Sequence, residues 1–588
     1  MKQLLTGNEA LARGAWEAGL SVASAYPGTP STEILENLAL HKDIYTEWAP
    51  NEKVALEVAS GASIAGVRAI AAMKHVGLNV AADPLFTMAY IGSLGGLVVV
   101  SADDPGMFSS QNEQDNRLYA PHAHIPMIEP SNSQEAYDYI KEAFDLSEKF
   151  DVPVLFRMTT RICHSKTVVE VGDRVEHPAL QYVKNVGKNV MVPAAAKVRK
   201  TILTKRLQEL EKFSEATELN RVEYASDGNR RIGVITSGVS YNHAREVFGD
   251  TVSYLKLAFT YPLPPQKISN FASQFESIYV IEENEPYLEN FVKQLGIKCH
   301  GKDLLPWEGE LDSLTIAKAF GMASENVNFA HGLDLPPRPP VLCPGCPHRG
   351  FYYEVSKFKD IVVTGDIGCY TLGAVPPLSS IDTCICMGGS ISAACGFAHA
   401  DHFAKTGKKF LGVIGDSTFF HSGITGLINA VVNKTPIIVA ILDNRITAMT
   451  GHQENPGTGR TLQGEVTHQV DLIALCKACG VKNENIRAID PYNILETREA
   501  IRLAHDATEV FVIIAKQPCA LIKSVMKARA RMKCYVDQSK CIKCKMCMKA
   551  GCPALCFQNG QIIIDKTMCN GCEICAQICP KQAIMKEE

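Results

Sequence analysis

At 588 residues the chain is longer than one hydrophobic core sustains, and three or four domains are expected. Hydrophobic residues make up 46% and charged residues 21%, the balance of a soluble globular protein, and the formal charge of −4 excludes the strong basic field of a nucleic-acid or membrane-surface binder. Met1-Lys2-Gln3 runs into an alanine-rich helical segment with no export pattern, and the apolar runs Leu97–Val100 and Ile437–Leu442 are strand-length rather than bilayer-length. The expected location is the cytoplasm.

In chain order, residues 1–180 alternate apolar strands with helical stretches. Val98-Val99-Val100 followed by Ser-Ala-Asp-Asp-Pro reads as a buried strand running into a loop, and Val152–Phe156 as another. Such alternation predicts a parallel sheet with helices on both faces. Residues 181–230 are rich in Lys and Glu and read as a helical linker. A strand–turn–helix unit opens a further domain, 231–330, at Arg231-Ile-Gly-Val-Ile-Thr-Ser-Gly-Val, with a later strand at Ile278–Ile281. The run Leu335-Pro-Pro-Arg-Pro-Pro340 cannot be helical and marks a boundary.

The second large α/β region spans 341–525. Within it, Phe410-Leu-Gly-Val-Ile-Gly-Asp416 predicts a strand ending in Gly-Asp, then a helix through Leu427–Val432, then the strand Pro436–Asn444. A βαβ unit of this length puts Asp416 and Asn444 at the carboxyl ends of parallel strands, where open α/β sheets bind ligands. A hard dication such as Mg²⁺ takes oxygen ligands: Asp416 offers charge, Asn444 a neutral carbonyl and Ile446 its main-chain carbonyl. A strand-end Asp that simply caps the next helix is the competing reading.

A basic helical linker around Lys527–Lys533 leads to the tail, 533–588. Ten of the 21 cysteines fall between Cys534 and Cys579. Cys541-x2-Cys544-x2-Cys547-x4-Cys552-Pro553 is followed by Cys569-x2-Cys572-x2-Cys575-x3-Cys579-Pro580, the second run having the spacing in which three close thiolates hold one [4Fe–4S] cubane and the fourth reaches the other. The expected ligand sets are Cys541, Cys544, Cys547 and Cys579 for one cluster, and Cys569, Cys572, Cys575 and Cys552 for its neighbour. Cys556 rivals Cys552, Cys534 reads as a bystander, and a pair of zinc sites is the alternative to clusters.

The Gly-Asp-x…Asn arrangement, with Gly415, Asp416, Ser417, Asn444 and the following Thr450-Gly451-His452-Gln453, resembles the thiamine-diphosphate fingerprint, although Ser417 stands where many members carry a second Gly. Together with the cysteine tail it resembles the 2-oxoacid:ferredoxin oxidoreductases. Tyr26-Pro27-Gly28-Thr29-Pro30 looks like that family's pyrimidine-domain loop. Cys343-Pro-Gly-Cys346-Pro-His348-Arg349 and Gly365-Asp-Ile-Gly368-Cys369 look like parts of its pyrophosphate domain. The domain order is similar to that of the alpha subunits of the indolepyruvate-type enzymes, and the resemblance covers essentially the whole chain.

The resemblance implies an α/β multidomain fold. It comprises two doubly wound thiamine-diphosphate-binding domains, a transketolase-C-terminal-like domain over 231–330, and a small α+β ferredoxin domain with two [4Fe–4S] clusters. It also implies thiamine diphosphate, Mg²⁺ and coenzyme A as co-substrate for oxidative decarboxylation of an aryl 2-oxoacid, with electrons leaving to ferredoxin. A smaller beta subunit and a dimer of heterodimers are the implied partners. Glu52 takes the role of the carboxylate that hydrogen-bonds the aminopyrimidine, with Glu57 as rival. Pro27, Thr29, Cys346, His348, Gly368 and Cys369 are implied cofactor contacts, and His75, His348 and His421 the candidate proton carriers. An electron-transfer scaffold with a vestigial thiamine site and a non-redox thiamine decarboxylase are the competing functions.

Overall fold

The computed structural model describes residues 1–322 and 339–587 in two compact units, Met1–Gly332 and Leu333–Glu588. Leu335–Arg338 of the proline-rich boundary lie outside the described residues.

In the first unit the sheet order is Phe259–Tyr261, Met127–Ile128, Val154–Thr159, Leu97–Asp103, Ala69–Lys74, Val22–Ala25 and Tyr45–Trp48. All neighbours are parallel except the edge strand Phe259–Tyr261, which comes from the far side of the linker and pairs antiparallel to Met127–Ile128. Every residue of Leu97–Asp103 is buried, as a strand covered on both faces requires. A second, four-stranded sheet runs Ser277–Ile281, Ile232–Ser237, Ser253–Leu257 and Asn220–Glu223.

Three sequence readings need correction here. The N-terminus enters a strand, Lys2–Thr6, before its first helix, because that segment pairs antiparallel with Lys166–Glu170. The linker is helical only over Val186–Asn189 and Pro193–Ala216. The rest of 181–230 contributes Asn220–Glu223 to the four-stranded sheet, so that domain begins upstream of residue 231.

In the second unit six parallel strands run Thr383–Cys384, Ile361–Gly365, Lys409–Gly415, Ile438–Asp443, Phe511–Lys516 and Ile486–Ile489. The chain lays Thr383–Cys384 on one side of Ile361–Gly365, then crosses to build outward from its other side. The order therefore reverses between Ile361–Gly365 and Lys409–Gly415, and the crevice beyond their carboxyl ends is the expected ligand position. The cysteine tail adds two small antiparallel ribbons, Cys534–Val536 with Ile584–Lys586 and Leu555–Gln558 with Gln561–Ile564. Arg349, 1% exposed, fastens this module to the α/β domain, donating to the Ala550 carbonyl (2.6 Å) and to those of Leu342 and Cys343 (2.7 and 3.0 Å). Among the described residues no helix is long and apolar enough to cross a membrane.

Candidate active site and cluster cavities

In the first unit the strand order reverses between Val22–Ala25 and Ala69–Lys74, and their carboxyl ends lead into the loop Tyr26–Pro30 and the short helix His75–Val80. Asn51 caps the helix Glu52–Ile64 by accepting from the Val54 amide at 2.9 Å, which puts Glu52 on the first turn and buries it. The Glu52 carboxyl lies against Gly77: a β-carbon there would fall 2.6 Å from its Oε1. Gly28 packs closely on Lys74, where an added β-carbon would fall 3.0 Å from the Lys74 Cβ. Pro27, Thr29 and Glu52 therefore gather at one end of this sheet. Glu57, the rival carboxylate, is half-exposed and paired with Lys53 one turn away. His75 is buried with Nε2 3.1 Å from the Asn112 carbonyl, and burial lowers its pKa.

In the second unit the reversal point carries two Gly-Asp pairs, Gly365-Asp366 and Gly415-Asp416. Asp366 accepts from the amides of Ile367 (2.8 Å), Gly388 (2.8 Å) and Ser390 (3.0 Å), pinning the loop that opens the helix Gly389–Ala404. Burial pushes its carboxyl up to about 6 against those hydrogen bonds. Gly388 has φ +79°, and a β-carbon there would fall 1.9 Å from Ser422 Oγ, so only glycine fits. Ser422 Oγ bonds in turn to His421 Nδ1 (2.9 Å) and the Met387 carbonyl (3.2 Å). His421 lies in a π-helical turn, Phe419–Gly423, a local widening that recurs at functional sites.

Asp416 is 2% exposed, and desolvation pushes its carboxyl up to about 7 with Asp443 close by. Its Oδ2 accepts from Asn455 Nδ2 at 3.1 Å, an amide rather than a cation. Asp443 is paired with Arg445 at 3.3 Å, whereas Asp416 is answered by the neutral Asn455 amide, and such a buried carboxylate is an oxygen ligand that suits a dication. Pairing of Gly415 with Leu442 brings the Asn444 turn alongside. There Asn444 Oδ1 accepts from the Ile446 amide (3.1 Å) and Nδ2 donates to His348 Nε2 (3.4 Å). Ser417 Oγ accepts from Thr447 (2.9 Å), and Thr450 Oγ1 donates to Gln453 (2.6 Å). A cavity of about 200 Å³ opens beside Asp416, with Asp443, Arg445 and Lys516 among its walls. Burial pushes His348 down to about 4, raises the Cys346 thiol, and raises that of Cys369 to about 11 with Cys519 and Cys343 nearby.

The tail encloses two cavities. One is lined by Cys541, Cys544, Cys547 and Cys579, the other by Cys552, Cys569, Cys572 and Cys575 together with Cys534, Pro344 and Gly345. All these cysteines are free thiols. Each cavity thus joins three close sulfurs from one run with the distant fourth of the other, the donor set of a cubane. Cys556 is exposed on a ribbon strand, its Sγ directed at the Ile563 carbonyl, and lines neither cavity. Cys534, read as a bystander, does line one.

Three family descriptions match the chain: "Pyruvate flavodoxin/ferredoxin oxidoreductase, thiamine diP-bdg" over residues 13–229, "Thiamine pyrophosphate enzyme, C-terminal TPP binding domain" over 366–515, and "4Fe-4S binding domain" over 562–585. Curated relatives match almost end to end. Indolepyruvate oxidoreductase subunit IorA of Archaeoglobus fulgidus is 42% identical, with 99% of this chain and 97% of that protein covered. The chain belongs to the IorA family. Subunits of the same name from Methanothermobacter marburgensis (43%) and Pyrococcus horikoshii (40%) cover 99% and 100% of this chain and 97% of their own lengths.

As an IorA-family chain it is a thiamine-diphosphate-dependent oxidoreductase subunit with a [4Fe–4S] ferredoxin module. Asp366, Asn455 and Gly388 were missed in the sequence. Asp366 had a readable signal, since Gly365-Asp366 repeats the strand-end Gly-Asp of Gly415-Asp416; Asn455 had none, because it lies 39 positions from Asp416 in sequence, beyond a helix, a strand and a loop.

Proposed function

We propose that this chain oxidatively decarboxylates aryl 2-oxoacids, indolepyruvate foremost, with coenzyme A. One 2-oxoacid, one coenzyme A and two oxidised ferredoxins give acyl-CoA, CO₂, a proton and two reduced ferredoxins. The observation that carries the reading is the loop Cys343–Arg349. Its Pro344 and Gly345 wall the cavity of Cys552, Cys569, Cys572 and Cys575, while His348 three residues on meets Asn444 at 3.4 Å. One short loop thus borders both the cofactor end of the sheet and a cluster cavity. A cluster held by that cavity would be placed as the first electron acceptor, and one held by Cys541, Cys544, Cys547 and Cys579 would pass electrons onward.

When bound, thiamine diphosphate supplies the electron sink for loss of CO₂. Asp416, Asn444 and the Ile446 carbonyl would hold Mg²⁺ for the diphosphate, and Gly368, Cys369, Gly415, Ser417 and Thr450 would line that end. Glu52 would supply the carboxylate that hydrogen-bonds an aminopyrimidine, and Pro27 and Thr29 would belong to the same pyrimidine-binding end of the first unit. Cys346, His348 and His421 would serve the reacting centre, with the two histidines as proton carriers. The relatives' subunit naming supports a partner chain; in our reading that chain is smaller, the assembly is a dimer of heterodimers, and ferredoxin is the acceptor. Free thiols throughout the chain support a cytoplasmic setting.

The test is anaerobic: count iron and thiamine, then follow cluster bleaching on adding indolepyruvate and coenzyme A, with and without the partner chain. About eight irons, one thiamine diphosphate and bleaching that requires both substrates are expected. Iron without thiamine would leave an electron-transfer scaffold, and CO₂ release without bleaching would leave a non-redox decarboxylase.

A further inference from the structure

The two cluster cavities differ in one sulfur. Cys534 belongs to neither cysteine run, yet it is 1% exposed and lines the cavity of Cys552, Cys569, Cys572 and Cys575. The other cavity has four cysteines and no fifth. Cys534 opens the strand Cys534–Val536, paired residue for residue with Ile584–Lys586, so its position is set by the ribbon rather than by a mobile loop. Its main-chain amide donates to Cys569 Sγ at 3.4 Å, and the preceding Lys533 donates through Nζ to the Cys569 carbonyl at 2.6 Å. Its side chain shares that cavity wall with the Cys569 and Cys575 sulfurs.

A thiol is a weak donor, and hydrogen bonds to cluster sulfurs are among the levers that set a cluster's potential. A donor favours the state with more negative charge on sulfur, which is the reduced one. Resting on the reading that Cys552, Cys569, Cys572 and Cys575 hold a [4Fe–4S] cluster, we propose that Cys534 is a positioning residue for that cluster: its thiol donates to one sulfur of the ligand set and raises the potential of the first acceptor. The cluster of Cys541, Cys544, Cys547 and Cys579 has no such thiol, so the device separates two cubanes that their cysteine runs alone would leave nearly alike.

The test compares the full-length protein with Cys534→Ala, Cys534→Ser and Cys552→Ala by iron count and by a redox titration read through the low-temperature spin resonance of the two clusters. Cys534→Ala is expected to keep both clusters. One of the two potentials should fall, with a tenfold lower ratio of reduced to oxidised cluster corresponding to about 59 mV for one electron, while the other stays. Cys534→Ser, with a hydroxyl donor, should recover part of the shift, and it reports on the hydrogen bond if the alanine variant packs poorly. Full iron with both potentials unchanged in the alanine and serine variants would overturn the proposal and leave the ligand assignment standing. Loss of four irons from Cys534→Ala with retention in Cys552→Ala would overturn the ligand assignment itself.

Discussion

Gly77→Ala separates catalysis from stability more sharply than replacement of Glu52 itself. Gly77 sits in the helix His75–Val80, outside the left-handed backbone region, so alanine has no conformational objection. On intrinsic propensity the change stabilises the helix by about 0.8–1 kcal/mol. The added carbon would meet the Glu52 carboxyl group at 2.6 Å (Oε1), 2.7 Å (Cγ) and 2.8 Å (Cδ). Relief to ordinary contact needs a carboxylate displacement of about 1 Å, and an off-rotamer side chain costs about 0.5–1.5 kcal/mol. The two effects nearly cancel, so Tm should move by no more than a few degrees. A displacement of about 1 Å at a catalytic group costs about 10²-fold in rate. Turnover of indolepyruvate with coenzyme A, read by dye reduction, should therefore fall on the order of 10²-fold, with thiamine content near one per chain. Exchange of the thiazolium C2 proton should slow in step. Wild-type exchange in a folded, thiamine-loaded Gly77→Ala protein would refute Glu52 as the aminopyrimidine partner.

Asp416→Asn should abolish Mg²⁺-dependent retention of thiamine diphosphate through desalting, and undiminished retention would remove Asp416 from the metal site. Cys552→Ala should lose or degrade one cluster while Cys556→Ala keeps its full iron, and the reverse pattern would exchange their roles. Burial pushes Glu283 up to about 7 from 4.5, against the attraction of Arg157 and the Leu311 amide. A raised carboxyl pKa means folding takes up a proton. The associated stability is complete below about pH 4.5 and lost as pH rises through about 7, with a ceiling of about 3 kcal/mol. Glu283→Gln should therefore gain on the wild type in denaturant midpoint between pH 5 and 8, and parallel pH profiles would refute the shift.

The two doubly wound domains were legible because fully buried parallel strands leave continuous apolar runs, as at Leu97–Val100 and Phe410–Ile414. Short edge elements were not. Lys2–Thr6 carries no apolar run, and it is a strand only because Lys166–Glu170, 160 residues on, supplies its hydrogen bonds. Asn220–Glu223 and Phe259–Tyr261 likewise owe their conformation to partners that local pattern cannot announce.

The site divides along the same line. Cysteine spacing is a local property, so motif chemistry alone divides the two runs into the same two groups of four that the two cavities gather. What spacing could not rank was Cys534. A sulfur seven residues outside the first run enters the cavity only because its strand pairs with the end of the chain, Ile584–Lys586. Gly77 has the same character: its value lies in the absence of a side chain opposite Glu52, visible once the helix carrying one is packed against the helix carrying the other. Residues that supply atoms to the chemistry advertise themselves by type and spacing. Residues that act by clearing space or by standing behind a ligand are defined by the fold, and those are the positions where substitution should separate activity or potential from stability.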